Sequence, residues 1–374
     1  MIPEWINQGL IPVIVTYDIC GDWDIDVPVY KIPQNKTSKI VKVVSHVTGF
    51  FENRYYKEIF KYCERLIKEH EINLVFSFSN PQDSNIIGAM LKEGLGVKFV
   101  SHFSDPYFNS PYKSFPFWRR RKVFKSEKYI LEQSDSIVFV SEALKNYVLQ
   151  NHHSYTKDKA VVIPHCFDRK LYPQGLDLHR SDNIYVMSHI GAFYKKRNPE
   201  TLFRALNMIK RKNPKLLNNF RLKLIGATSD YAGYSESELK ALIKQYCLDE
   251  IIESIPPVDY NASLRIMVES DCLLVIDADI TDSPFLPSKL IDYIGSGKNI
   301  IGITPVSSPT HDIIKKLGCR SFSYGQIAEL ADYIKKMLIS PKKPVMDQIF
   351  ADGFDVKNTT NKLIEQFQYI VGNS

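Results

Sequence analysis

From residue 183 onward, short β-branched runs alternate with stretches of helical periodicity, and that alternation admits few folds. The apolar runs fall at 184–190, 221–225, 251–255, 272–276 and 299–303, with helical patterns at 199–212, 236–246, 261–269 and 287–297 between them. Near-continuous apolar strands separated by helices belong to a parallel sheet covered on both faces, a doubly wound α/β domain. The first half repeats the rhythm, with strands expected at 13–16, 74–77, 98–103, 136–140 and 160–163 and helices at 55–69, 84–93 and 119–133. A chain of 374 residues exceeds what one hydrophobic core usually supports. Two α/β domains are therefore expected, 1–172 and 183–345, joined through Tyr172-Pro173-Gln174-Gly175 and the polar stretch to Asp182. Residues 346–374 read as a C-terminal helix that could cross back to the first domain. The expected site is a cleft between the domains. Neither half carries a Gly-x-Gly-x-x-Gly fingerprint, which argues against a Rossmann-type dehydrogenase.

The segment SPFLPSKLIDYIGSGKNIIGITP, residues 283–305, concentrates polar chemistry between two apolar runs. Pro287 suits a helix entry, Ser288 is expected to cap the helix, and Gly295 and Gly297 should end it. Residues three and four apart share a helix face, so Ser288, Lys289 and Asp292 line one side. Donors near a helix N-terminus with a carboxylate deeper in would suit a nucleoside diphosphate, Asp292 accepting from ribose hydroxyls. The same spacing also describes an ordinary amphipathic helix. Upstream, strand 184–190 runs into Gly191-Ala192-Phe193-Tyr194-Lys195-Lys196-Arg197-Asn198-Pro199, a glycine turn and a basic triplet before a helix. Backbone N–H groups and cations there can offset phosphate charge, and Arg197 can engage it in bidentate fashion; a solvated loop with incidental lysines is the plainer alternative.

The net charge of +6 is spread out except at Arg119, Arg120, Arg121 and Lys122, which follow Phe117 and Trp118. Nucleic acid is not implied. A basic, aromatic-flanked helix fits either the peripheral surface of an anionic membrane or a solvated helix face. The six cysteines lack paired spacing and read as buried thiols of a reducing cytoplasm. No apolar run approaches the roughly eighteen residues that span a bilayer, so the expected location is cytoplasmic, with peripheral contact at the inner membrane face.

HIGAFYKKRNPETLFRAL and SPFLPSKLIDYIGSGKNIIGITP resemble the donor-binding motifs of GT-B glycosyltransferases, specifically the large family-4-like retaining group. The resemblance extends to 74–78, 98–107 and 135–147, which look like strands and helix starts of the acceptor domain. It implies two Rossmann-like domains facing a cleft, a nucleotide-sugar donor held mainly by the C-terminal one, and a glycan or lipid-linked acceptor held by the N-terminal one. No cofactor and no metal ligand are implied; a UDP-sugar is favoured over a GDP-sugar. The resemblance gives Gly191, Lys196, Arg197, Ser288, Lys289 and Asp292 to the donor, Asp292 standing where the family usually has Glu. Arg197 and Lys289 hold the diphosphate, and His102 resembles a strand-end residue facing the sugar. The Pro-Ser-Lys-Leu version of the motif resembles enzymes of bacterial surface-polysaccharide assembly.

Departures accompany the matches. Ala192 replaces an Arg often found after the loop glycine, Pro284 replaces the upstream Glu of a Glu pair, and His165-Cys166 replaces Asn-Gly. Asp277-Ala278-Asp279 matches the metal-binding Asp-x-Asp of another glycosyltransferase fold but is read as structural here. Residues 3–10 resemble the end of the family's first helix, so its first strand has no counterpart. Two unpaired strand edges are expected, together with poor solubility or activity that an added upstream strand would rescue. A catalytically silent nucleotide-binding or partner subunit, or a sugar-nucleotide epimerase, are the alternatives this leaves.

Overall fold

The computed structural model describes residues 1–17, 25–32, 50–112, 115–152, 158–174, 184–229, 233–341 and 346–372. It divides into two compact units, residues 1–164 with 356–374, and residues 165–355. Most of the interdomain linker expected from sequence, 175–183, lies outside the described residues.

The first unit contains α1 (Ile2–Asn7), β1 (Ile14–Tyr17), β2 (Val29–Ile32), α2 (Phe50–Glu69), β3 (Leu74–Phe78), α3 (Asp83–Leu95), β4 (Lys98–Phe103), α4 (Phe117–Gln133), β5 (Ser136–Phe139), α5 (Glu142–Leu149) and β6 (Ala160–Val162). Its strands form two parallel sheets: β3-β4-β5-β6, and β1-β2 apart from it. Among the described residues β1 and β3 are each paired on one side. Strand β2 pairs with β1, with Ile14 opposite Val29, and does not join β1 to β3.

The second unit contains β7 (Tyr185–Ile190), α6 (Glu200–Lys212), β8 (Phe220–Ile225), α7 (Glu236–Gln245), β9 (Ile252–Ile255), α8 (Tyr260–Glu269), β10 (Cys272–Ile276), α9 (Ser288–Gly295), β11 (Asn299–Ile303), α10 (Pro309–Lys316), β12 (Arg320–Phe322), α11 (Ile327–Ile339) and α12 (Gln348–Asp352). The last helix, α13 (Val356–Gly372), returns to the first unit. There Phe367 meets Trp5 of α1 and Phe76 of β3 edge to face, with ring centroids 6.0 and 5.3 Å apart. The sequence reading stops at residue 303 before resuming at the C-terminal helix; β12, α10 and α11 are additions from the structure.

The six strands of the second sheet run in the order β12-β11-β10-β7-β8-β9. The chain moves outward from β7 to β9, then crosses back to β10 on the other side of β7, so the winding reverses between β7 and β10. Strand β10 is buried along its whole length, as expected of a strand covered on both faces. In the core, Leu202, Phe203 and Leu206 of α6 cluster with Leu222, Leu274 and Ile301 of the sheet.

Residues 165–174 belong with the second unit, where specific contacts hold them. The Phe167 N–H donates to Phe354 O at 3.0 Å, Arg169 pairs with Asp352 and Asp355, and the Tyr172 hydroxyl donates to Asp292 O at 2.7 Å. Cys63, Cys272 and Cys319 are buried thiols, whereas Cys166 is half-buried and Cys247 exposed, so the expectation of uniform burial is corrected. Among the described residues no helix is long and apolar enough to cross a membrane.

Gly295 closes α9 against this same segment: a Cβ there would meet Tyr172 Oη at 2.3 Å and Phe167 Cγ at 2.7 Å. Gly295→Ala should therefore destabilise the protein by about 1–3 kcal/mol through overpacking. Tyr172→Phe, which deletes one hydrogen bond, should lose only about 1 kcal/mol. Urea unfolding of both variants checks that order.

Candidate active site

The reversal of winding opens the second sheet at one place. Strands β7 and β10 pair only at Met187 with Cys272 and Ser188 with Leu273, and beyond that point they diverge. Two backbone groups are left to find other partners, since a buried peptide group without one would cost about 1–3 kcal/mol. Leu274 O accepts from His189 Nδ1 at 2.9 Å, and the Ile190 N–H donates to the Tyr293 hydroxyl of α9 at 2.9 Å. Both side chains are buried, His189 lying flat on Phe193 with centroids 4.5 Å apart. Strand ends at a reversal of this kind are where open α/β sheets bind ligands.

Gly191 follows at once, with φ of +130°. Only glycine adopts that backbone readily, and a Cβ there would meet nothing within 4 Å, so the loop leaves open space in front of it. The basic turn Tyr194 to Arg197 is closed by reciprocal backbone bonds, Arg197 N to Tyr194 O at 2.7 Å and Tyr194 N to Arg197 O at 3.1 Å. Lys195 and Lys196 project into solvent from it. Arg197 is held lower: its guanidinium stands 5.7 Å over the Tyr194 ring, and its Nη2 lies 3.8 Å from Asp277 Oδ1.

Helix α9 presents the second group of predicted residues. Its N-cap is Pro287, with no side-chain cap, so Ser288 is the first helical residue rather than the cap expected from sequence. Pro287 has extended backbone, ψ of 125°, and the missing proline N–H puts no further donor there. Lys289 and Asp292 share a face as expected, Lys289 Nζ lying 3.7 Å from Asp292 Oδ2. The Tyr260 hydroxyl of α8 donates to Asp292 Oδ1 at 3.0 Å, and Lys289 Nζ lies 5.8 Å over the Tyr260 ring. Burial pushes the Asp292 carboxyl above the usual range, while Lys289 and the Tyr260 hydroxyl pull it back. Burial and the Asp292 charge together push the Tyr260 phenol upward, keeping it a donor.

Gly191, Lys196 and Arg197 thus sit on one loop, and Ser288, Lys289 and Asp292 on one helix, with Tyr293 tying that helix to the strand before the loop. Tyr293, Tyr260 and Asp277 were not assigned to the site from sequence. Asp277 had a signal, the Asp-x-Asp spacing; among the described residues no cluster of metal-ligating side chains occurs. Tyr260 and Tyr293 had none, because their partners stand 32 and 103 residues away in the chain.

His102 belongs to the first unit, at the end of β4. It is buried, with ring centroids 6.3 Å from Phe76 and 5.0 Å from Phe78. The loop that follows is fixed by Glu127 of α4, whose Oε2 accepts from the Tyr107 and Phe108 N–H groups at 3.2 and 2.8 Å while Oε1 meets His152 Nε2 at 2.8 Å.

His189 makes the site acid-sensitive. Burial pushes its imidazole down to about 4, further lowered by Arg197 nearby and opposed by the bond to Leu274 O. A neutral buried histidine stabilises fully above the unfolded value near 6.5 and loses that contribution as pH falls toward 4. The loss from this group should be about 3 kcal/mol. His189→Gln should shrink the difference in unfolding free energy between pH 7 and pH 4.5, measured in urea.

Comparison with known proteins accords with this architecture. Residues 7–171 match the Glycosyltransferase Family 4 model. No curated protein matches the chain by sequence. Among solved structures, sucrose-phosphate synthase from Thermosynechococcus elongatus superposes with a TM-score of 0.72 at 12% identity, over 99% of this chain and 92% of that one. HepE from Anabaena, in complex with UDP and glucose, gives 0.66 at 16% identity, over 92% and 86%. The lipopolysaccharide outer core galactosyltransferase WaaB, in its apo form, gives 0.55 at 15% identity, over 92% and 84%. The chain has the fold of these GT-B glycosyltransferases, and its residues 7–171 are similar to Glycosyltransferase Family 4.

Proposed function

We propose that this protein moves a sugar from a nucleoside diphosphate donor, a UDP-sugar, to a glycan or lipid-linked acceptor with retention of anomeric configuration, in surface-polysaccharide synthesis. The observation that carries the reading is the pair of cations, Arg197 and Lys289, on the loop and the helix that follow the two diverging strands, with Asp292 oriented by Tyr260 beside one of them. Bond breaking puts negative charge on the departing diphosphate. Fixed cations and the orphan N–H groups at the start of α9 would stabilise that charge without reorganising. Asp292 would accept from the ribose hydroxyls. An epimerase would instead need a free acid and base, and the carboxylates at this site, Asp277 and Asp292, are both engaged by neighbouring donors. The complex of HepE with UDP and glucose supports the choice of nucleotide, and the outer-core role of WaaB the class of product. His102 is the candidate sugar-facing residue of the first unit.

Lys289→Ala and Arg197→Ala should each weaken UDP binding by about 1.5–3 kcal/mol while leaving uridine binding nearly unchanged, since both residues act on phosphate. Isothermal calorimetry with the two ligands, repeated in chelator, reads this. Equal losses for UDP and uridine would reduce both residues to structural roles, and binding that required manganese would overturn the metal-free donor site.

The acceptor side extends the proposal to a membrane surface. Phe117 and Trp118 at the start of α4 are 68% and 49% exposed, beside exposed Arg120 and Arg121. Such a surface would bind anionic lipid at about 1 kcal/mol per basic residue near the interface, falling with salt. Arg119→Gln with Arg121→Gln should cut co-sedimentation with phosphatidylglycerol vesicles, and phosphatidylcholine vesicles should retain neither form.

A further inference from the structure

The Asp-x-Asp motif has a different use in this chain. Asp277 is the first residue after β10 and is fully buried. Its Oδ1 accepts from the Ala278 N–H at 2.7 Å, and its Oδ2 accepts from the Thr310 hydroxyl of α10 at 2.8 Å. Two of its oxygen positions are therefore fixed by a backbone group and by a second strand's following helix. Against this fixed carboxylate lies Arg197 Nη2, 3.8 Å from Oδ1.

The backbone repeats the connection. Asp279 donates its N–H to Lys196 O at 2.7 Å, so the residue just before Arg197 is latched to the residue two after Asp277. The Tyr324 hydroxyl donates to Asp277 O at 2.5 Å and reaches Lys196 O at 3.4 Å, and Tyr324 O in turn accepts from Thr201 Oγ1 of α6 at 3.0 Å. Loops following β7, β10, β11 and β12 are joined around residues 277–279, through the Asp277 carboxylate, the Asp277 carbonyl and the Asp279 N–H.

What this leaves of Arg197 matters. One guanidinium nitrogen faces Asp277, and the buried Nε has no acceptor among the described residues. A buried charged donor without a partner is costly unless something arrives to accept from it. Its orientation is therefore worth holding even before a ligand is present, and a long arginine side chain left to itself would lose that orientation to rotamer entropy.

We infer that Asp277 is a positioning residue: together with Thr310 it aims the Arg197 guanidinium so that its free edge meets the donor diphosphate. The inference rests on the donor-site reading above for the ligand and on the contacts of Asp277 alone for the geometry. It also gives the acidic motif a role that involves no metal ion, because the cation it faces is the protein's own.

The test uses the full chain with Asp277→Asn, which keeps size but removes the charge and turns one acceptor oxygen into a donor NH2, and Thr310→Val, which removes the hydroxyl. Calorimetry with UDP should show a ten- to hundredfold loss of affinity for Asp277→Asn and a smaller loss for Thr310→Val, with uridine affinity within twofold of the parent. In an Arg197→Ala background, Asp277→Asn should have no further effect on UDP affinity. The Arg197 Nε–H resonance, assigned by its disappearance in Arg197→Ala, should report restricted guanidinium rotation in the parent and faster rotation in both variants without any ligand. Unchanged rotation in Asp277→Asn, or an undiminished loss of UDP affinity in the Arg197→Ala background, overturns the inference. A parent protein that binds no UDP overturns the donor-site reading instead, and the resonance then still decides whether Asp277 restrains Arg197.

Discussion

The divergence of β7 from β10 is the constraint on which the site depends. Parallel strands that stay paired to their ends leave no room between them for a ligand and no reason for polar side chains to enter. Here the ladder stops after two registered pairs, at Ser188 and Leu273. The peptide groups beyond must still be satisfied, and the side chains of His189 and Tyr293 do this. Tyr293 lies on α9, so the hydrogen bond that repairs the strand also fixes the helix bearing Lys289 and Asp292. Saving one backbone N–H from isolation and placing the helix are the same interaction.

Charge is arranged around that opening in two registers. Asp292 lies next to Lys289 and accepts from Tyr260, whereas Asp277 lies next to Arg197 and accepts from Thr310. Each cation has a carboxylate within 4 Å, yet neither pair is a tight bidentate bridge: the separations are 3.7 and 3.8 Å. A closer pair would hold the cation against its partner and lower its value to an incoming phosphate, because the first pairing would have to be broken. A cation with no carboxylate nearby would be desolvated and poorly directed. The intermediate spacing restrains direction while leaving donors unspent.

Periodicity carried the sequence reading where burial is two-sided. Strands β10 and β11 were legible to the residue, because a strand covered on both faces is a bare apolar run with polar punctuation. It failed beyond residue 303, where β12 is three residues long and sits at the sheet edge, too short for any pattern to emerge. The candidate site was legible in its cations and in Asp292, since glycine turns and helix faces are local signals. It was illegible in the residues that orient them. Tyr324 and Thr310 reach Asp277 across 47 and 33 residues, and nothing local distinguishes such a tyrosine or threonine from one on a solvated face. Ser288 shows the opposite error: a good capping residue one position too late, displaced because proline took the cap.

Among the described residues each unit has one fully buried carboxylate, set beside a strand-end loop. In the second it is Asp277, at a strand end, accepting from the Ala278 N–H and from the Thr310 hydroxyl of α10. In the first it is Glu127, on the inner face of α4, which accepts two consecutive N–H groups of the loop after His102 and meets a buried His152 stacked on Phe124 with centroids 5.0 Å apart. Loops at the ends of parallel strands cannot satisfy their own peptide groups, and water can do so only at the surface. An interior carboxylate offers up to four acceptor positions at one point, so it can hold several such groups at once, and its desolvation is offset only if they all arrive. That requirement is what makes the loop conformation specific. Removing Glu127 would free the Tyr107–Phe108 peptide groups and leave His152 buried without its partner. The outer, basic face of α4 would then be carried on a helix whose inner face no longer fixed the strand-end loop beside it.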